Sequence, residues 1–122
     1  MAVLVVDDSQ MTRIVARKSL NSMGVTDVIE AADGQQALTA FQSNSISVIF
    51  SDWNMPNMNG FDLLKNIRAI NPTVPFIMIT TEGSKERVVA AIQSGVSDYL
   101  VKPYTPAQLR DKLSKWIAAP VG

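Results

Sequence analysis

Residues 46–60 read Ile-Ser-Val-Ile-Phe-Ser-Asp-Trp-Asn-Met-Pro-Asn-Met-Asn-Gly. Ile46 to Phe50 form a short, nearly continuous run rich in β-branched residues, the pattern of a strand covered on both faces. The run gives way to Asp52 and then to a polar loop, Trp53 to Asn59, held open by its asparagines and Pro56. After Asn59-Gly60 the spacing turns helical, with Phe61, Leu64, Ile67 and Ile70 on the inward face and Pro72 beyond the end. One unit of strand, polar loop and helix is therefore legible here.

The same unit recurs on both sides. Val3 to Val6, Val28 to Ala31, Phe76 to Ile79 and Tyr99 to Val101 read as further strands, the second with Glu30 inside it and so more like an edge. Between Ser9 and Met23 the set Met11, Val15, Ala16, Leu20 and Met23 follows a helical stripe that ends at Gly24. Asp33 with Gln36 starts a second helix carrying Ala37, Leu38 and Phe41. A helix from about Ser84 carries Val88, Ala91 and Ile92 and stops at Gly95. The last has Thr105 as cap, Pro106 at the first helical position and Gln108 closing a capping box, followed by Leu109, Leu113 and Trp116. Strict alternation of strand and helix predicts a three-layer α/β fold: a doubly wound, five-stranded parallel sheet with helices on both faces.

Composition bounds the chemistry. The 122 residues are 47% hydrophobic, with eleven basic and eleven acidic side chains and neither cysteine nor histidine. A chain of this length buries roughly two-thirds of its extended surface and folds on an apolar core alone, so one domain over 1–122 is expected, with its core at about 2–117. Ala119 to Gly122 is the candidate linker, and no output domain is expected. Disulfides, zinc ribbons, thiol nucleophiles and histidine bases are excluded. Balanced charge argues against nucleic acid as a partner. The opening Met-Ala-Val-Leu-Val-Val lacks a basic leader and meets two aspartates, so neither a signal peptide nor a membrane span is expected, and the location expected is the cytoplasm.

In a parallel sheet every strand ends on one edge, and ligands bind there where strand order reverses. The strands deliver Asp7-Asp8, Asp52, Thr80-Thr81 and Lys102-Pro103 to that edge. Carboxylates gathered at 4 Å repel by about 4 kcal/mol per pair at an effective dielectric of 20, so they take up protons or hold a cation. An all-oxygen set points to a hard ion and suits Mg²⁺. Lys102 offers an ammonium and Thr80 a hydroxyl to phosphoryl oxygens, and Asp52 is the candidate nucleophile forming an acyl phosphate. Each residue also has a plainer reading. Asp8-Ser9 in isolation is a helix cap, Lys102 a solvated lysine, Tyr99 a core aromatic, Trp53 a packing residue, and Met55 and Met58 filler. Only their coincidence favours chemistry.

Four stretches together resemble the receiver domain of two-component response regulators: Val-Val-Asp7-Asp8-Ser, Ser-Asp52-Trp-Asn-Met-Pro-Asn-Met-Asn-Gly60, Ile-Thr80-Thr-Glu82-Gly and Val-Lys102-Pro103-Tyr104-Thr. The resemblance implies a flavodoxin-like sheet of strand order 2-1-3-4-5, with Asp52 as phosphoacceptor. It further implies Mg²⁺ on Asp7, Asp8, Asp52 and the backbone carbonyl of Asn54, Lys102 on a phosphoryl oxygen, and a cis Lys102-Pro103 bond. Thr80 and Tyr99 would act as switch residues, and Asn54 and Glu82 would tune dephosphorylation. The donor would be a histidine kinase or phosphotransfer protein. The target would dock on helix 4, strand 5 and helix 5 around Tyr99, Tyr104 and Lys112, and the chemotaxis members of the family point to the flagellar motor switch. Asn59 departs from the aspartate of those members. Such a domain assists its own phosphorylation and dephosphorylation without turning over an external substrate. A phosphate sink or a regulator of another partner fits the same residues. A Mg²⁺-dependent phosphohydrolase would need a further acid/base and a cap. A flavin carrier would need a glycine-rich loop where Asp7-Asp8 stands, and a plain interaction module would leave Asp52 unreactive.

Overall fold

The computed structural model describes residues 2–81 and 84–117. Strands and helices alternate as β1 (Ala2–Val6), α1 (Gln10–Ser22), β2 (Asp27–Ala31), α2 (Gly34–Ser43), β3 (Val48–Asp52), α3 (Gly60–Ile70), β4 (Phe76–Thr80), α4 (Lys85–Gln93), β5 (Asp98–Val101) and α5 (Pro106–Trp116). Among the described residues the strands form one parallel sheet in the order β2-β1-β3-β4-β5, the flavodoxin-like arrangement expected. The order reverses between β1 and β3.

Helix boundaries follow local chemistry. Ser9, Asp33, Asn59, Ser84 and Thr105 each accept a hydrogen bond from a backbone N–H three residues on, satisfying a donor the helix cannot use. Thr105 and Gln108 complete the reciprocal capping box. At Asp33 the box is modified: Gln36 accepts from the N–H of Ala32 instead of from the cap itself. Gly24 and Gly95 end their helices at positive φ, where a Cβ is strained.

Two apolar layers cover the sheet. α1 and α5 bring Ala16, Leu20, Leu109 and Leu113 onto Val3, Val5, Phe50, Ile77 and Ile79. On the other face α2, α3 and α4 bring Ala37, Leu63, Leu64, Ile67 and Ala91 onto Leu4, Val6, Ile49, Phe76 and Met78. Polar residues buried within this frame are Asp7, Asp33, Ser51, Asp52 and Thr80, and all lie at or beside the carboxyl ends of the strands.

Several apolar residues expected inside are outside. Met11 is 70% and Val15 54% exposed, because α1 meets the sheet through Ala16 and Leu20, one residue around the helix from the Met11–Val15 row. Ile70 is the last residue of α3 and Ile92 flanks the buried Ala91 of α4; both face out. Trp116 lies at the margin of α5 because its indole N–H donates to Asp98 at 2.8 Å. β3 starts at Val48, and Ile46 packs on the core from outside the ladder. The tail Ala119 to Gly122 lies outside the described residues.

Asp98 is the brace between β5 and α5. Its carboxylate accepts from Lys112 and Trp116 at 2.8 Å each and from the N–H of Tyr99, with Lys115 at 3.5 Å. Burial works against the charge, but Lys112, Trp116 and the Tyr99 N–H outweigh it and hold the group at about 2, below the ordinary 3.8. A carboxyl lowered by folding stabilises fully above its unfolded value and loses that contribution as pH falls through its folded value. Urea unfolding should therefore show Asp98→Asn to be less stable than the wild type by about 2 kcal/mol at pH 7, with the gap shrinking between pH 4 and 2.

Candidate functional site

The register of β1 on β3 pairs Val6 with Ser51, so the next residues, Asp7 and Asp52, emerge side by side at the point of strand reversal. Asp8 follows Asp7 into the open, exposed where Asp7 and Asp52 are buried. Carboxylate oxygens of all three lie within 4.8 Å of one another. Lys102 reaches them from the far end of β5, its own N–H held by the carbonyl of Thr80 at 2.8 Å. β5 is two strands from β3, roughly 10 Å at ordinary spacing, which the lysine stem spans. Its ammonium donates to Asp7 Oδ2 at 2.7 Å and to Asp52 Oδ2 at 3.2 Å. The Lys102-Pro103 peptide is cis, as expected.

One ammonium cannot neutralise three carboxylates, and it serves Asp7 at the shorter distance. Burial accordingly pushes Asp52 above the usual carboxylate range, with Asp7 adding to the push, while Lys102 and the N–H of Asn54 pull against it. Burial also disfavours the charge on Lys102, yet the hydrogen bond and charge of Asp7, and then Asp52, hold its pKa above the ordinary lysine value. The residual negative charge and the all-oxygen donor set fit a hard divalent cation such as Mg²⁺.

The loop after Asp52 is fixed on both sides. Asn57, at φ 65°, donates to Asp33 Oδ2 at 2.7 Å, and the N–H of Gly34 donates to the carbonyl of Met58 at 3.0 Å. The N–H of Gln36 and then Asn57 hold the Asp33 carboxyl below its ordinary value. Asn59 caps α3 through Asp62 N–H at 2.8 Å, the work an aspartate would do at that position. Gly60 donates to Trp53 O, and a Cβ there would run into the carbonyl of Asp52. Trp53 is buried, stacked on Phe61 at 5.2 Å between centroids, with the Arg87 guanidinium 4.9 Å from its ring centre.

Thr80 ends β4 one residue past Ile79, the register partner of Asp52, and is fully buried. Strand alternation places it on the face of Met78 and therefore of Tyr99, the register partner of Met78. Tyr99 packs partly buried among the core residues of the α3–α4 side. Asn54 is exposed, and Glu82 lies outside the described residues.

A comparison with protein families matches residues 3–114 to the response regulator receiver domain. The chain is a receiver domain. It is similar to chemotaxis protein CheY1 of Helicobacter pylori strain J99, 47% identical over 116 residues that cover 93% of this chain and 94% of that protein. It is 44% identical to a chemotaxis protein CheY homolog of Campylobacter jejuni, over 93% of this chain and 89% of the other. In structure it resembles chemotaxis protein CheY4 of Vibrio cholerae, with a TM-score of 0.90 and 37% identity over 95% and 98% of the two chains. The receiver domain thus belongs with chemotaxis response regulators of the CheY type.

The structure brings Asp7, Asp8, Asp52 and Lys102 of the receiver domain together, and sets Thr80 beside them. Tyr99 lies on the α3–α4 side and Lys112 is tied to Asp98, whereas Tyr104 packs against the α1–α5 core and lines a groove next to Lys102. Burial, with the charges of Asp7 and Asp52, raises the Tyr104 phenol above its usual value against the pull of Lys102. This groove, about 430 Å³, is lined by Met11, Thr12, Val15, Thr81, Pro103 and Tyr104 beside Lys102. It was missed because Met11 and Val15 read as core; their offset from the Ala16–Leu20 row was the available signal.

Gly60→Ala tests how tightly Asp52 is seated. The added methyl meets the backbone of Asp52, so the variant should unfold at lower urea, with a loss of about 2–3 kcal/mol.

Proposed function

We propose that this receiver domain is a phosphorylation switch of a chemotaxis pathway, accepting a phosphoryl group on Asp52 and signalling through a protein partner. The observation that carries the reading is the Lys102 ammonium 2.7 Å from Asp7 and 3.2 Å from Asp52, inside a cluster with excess negative charge. A carboxylate oxygen of Asp52 attacks phosphorus as the bond from phosphorus to the donor's histidine nitrogen breaks, and the imidazole leaves with the bonding pair. Asp7, Asp8, Asp52 and the carbonyl of Asn54 would hold Mg²⁺, which when bound screens the acceptor's charge from that of the incoming phosphoryl group. Lys102 then shifts its hydrogen bond from Asp52 to a phosphoryl oxygen.

Thr80, at the same edge, donates its hydroxyl to the phosphoryl group, and Tyr99 moves on the face they share. A hydrogen bond to a charged group contributes about 1.5–3 kcal/mol. Moving a switch from 1:99 to 99:1 needs about 5.5 kcal/mol, so the target's own preference for the active form completes the shift. The target docks where α4, β5 and α5 expose Val89, Ile92, Val101 and Trp116, flanked by Tyr99 and Lys112; the similarity to chemotaxis proteins makes the flagellar motor switch the candidate. Asn54, which is exposed, and Glu82 set how water reaches the acyl phosphate. No helix among the described residues is long and apolar enough to cross a membrane, and we assign the protein to the cytoplasm. The groove at Met11 and Val15 opens beside Lys102, where a histidine-bearing donor protein must approach.

Intact-mass spectrometry after incubation with acetyl phosphate and MgCl₂ should find one phosphoryl group on the wild type and none on Asp52→Asn; an unmodified wild type refutes the switch. Val15→Asp, on the groove wall, should slow transfer from a phosphohistidine donor protein by about tenfold, the equivalent of 1.4 kcal/mol of lost docking. The same change should slow transfer from acetyl phosphate less.

A further inference from the structure

Asp7 has all four of its polar atoms engaged. Its N–H donates to Ala31 O at 3.1 Å, Oδ1 accepts from Ser9 N–H at 2.9 Å and Oδ2 accepts from Lys102 at 2.7 Å. Its carbonyl oxygen accepts from Arg13 Nη1 at 2.6 Å. Arg13 is the least expected of these partners. It lies near the start of α1, where the helix dipole disfavours a cation, and its side chain is only 15% exposed. It is held there by Glu30 of β2, whose Oε1 accepts from Arg13 Nε at 3.1 Å. Glu30 is itself held by Arg17, which donates to Oε2 at 2.8 Å and to the carbonyl of Val28 at 3.0 Å.

The carbonyl that Arg13 grips belongs to the peptide joining Asp7 to Asp8. A peptide is planar, so fixing its oxygen fixes the plane and the direction in which the Asp8 Cα leaves it. Asp8 is the exposed member of the carboxylate cluster and lies two residues beyond the end of β1. A planar guanidinium can serve Glu30 with Nε and the carbonyl with Nη1 at once in a fixed fork; an ammonium is a point charge without that geometry.

We propose that Arg13 is a positioning residue of the cation site, anchored on Glu30 and aiming the Asp8 carboxylate by holding the Asp7–Asp8 peptide. The proposal rests on the reading of Asp7, Asp8 and Asp52 as the Mg²⁺ ligands. Partners one step removed from a metal typically govern its affinity by ten- to a hundredfold.

The test is Mg²⁺ titration of the unphosphorylated protein, followed by Trp53 fluorescence in a Trp116→Phe background, with thermal melts to show that each variant is folded at the titration temperature. Arg13→Lys keeps the charge and loses the fork, and it should weaken Mg²⁺ about tenfold. Glu30→Gln, a second route to the same loss, should weaken it by a smaller factor. In an Asp8→Asn background Arg13→Lys should cost nothing further, since its effect runs through Asp8. A wild type that does not respond to Mg²⁺ sinks the cation site itself. A responding wild type with an unchanged Arg13→Lys, or a full Arg13→Lys loss persisting in Asp8→Asn, sinks the positioning role alone. Tighter binding by Arg13→Gln together with wild-type affinity in Arg13→Lys would mean that Arg13 acts only as a repelling charge.

Discussion

Three carboxylates and a single ammonium share one rim, and the rest of the fold is arranged around that imbalance. Asp7 and Asp52 are buried at the ends of adjacent central strands, where water cannot screen them, and Lys102 contacts both while leaving Asp8 and the excess charge open to solvent. In isolation this arrangement opposes folding, because buried like charges raise each other's energy. It persists because the two apolar layers hold the strands in register regardless. The surplus charge and the all-oxygen donor set fit a hard divalent cation.

Rigidity around Asp52 is built from several independent ties. Asp33 and Asn57 fasten the loop to α2, Asn59 fastens it to α3, and Gly60 lets the start of α3 press on the backbone of Asp52. Trp53 is held by Phe61 on one element and by Arg87 on another, linking the loop after Asp52 to α4. On the other flank Arg13 and Glu30 tie Asp7 to α1 and β2. The α4, β5 and α5 margin carries the polar contacts of Asp98 and exposes apolar side chains.

The sequence alone determined the alternation, the parallel sheet and the edge on which Asp7, Asp52, Thr80 and Lys102 emerge, because these follow from hydrophobic period, caps and glycines, which act within a few residues. It determined less well which helical stripe faces inward. Met11, Val15, Ile92 and Trp116 are apolar at helical spacing, and only the docking angle of each helix decides whether such a row meets the sheet or solvent. Tertiary structure alone also decided that Arg13 grips the carbonyl of Asp7 and that Tyr104 joins the groove beside Lys102 apart from Tyr99. Those contacts join backbone atoms or residues of different elements, and no local pattern encodes the distance between two parts of the chain until the sheet has set it.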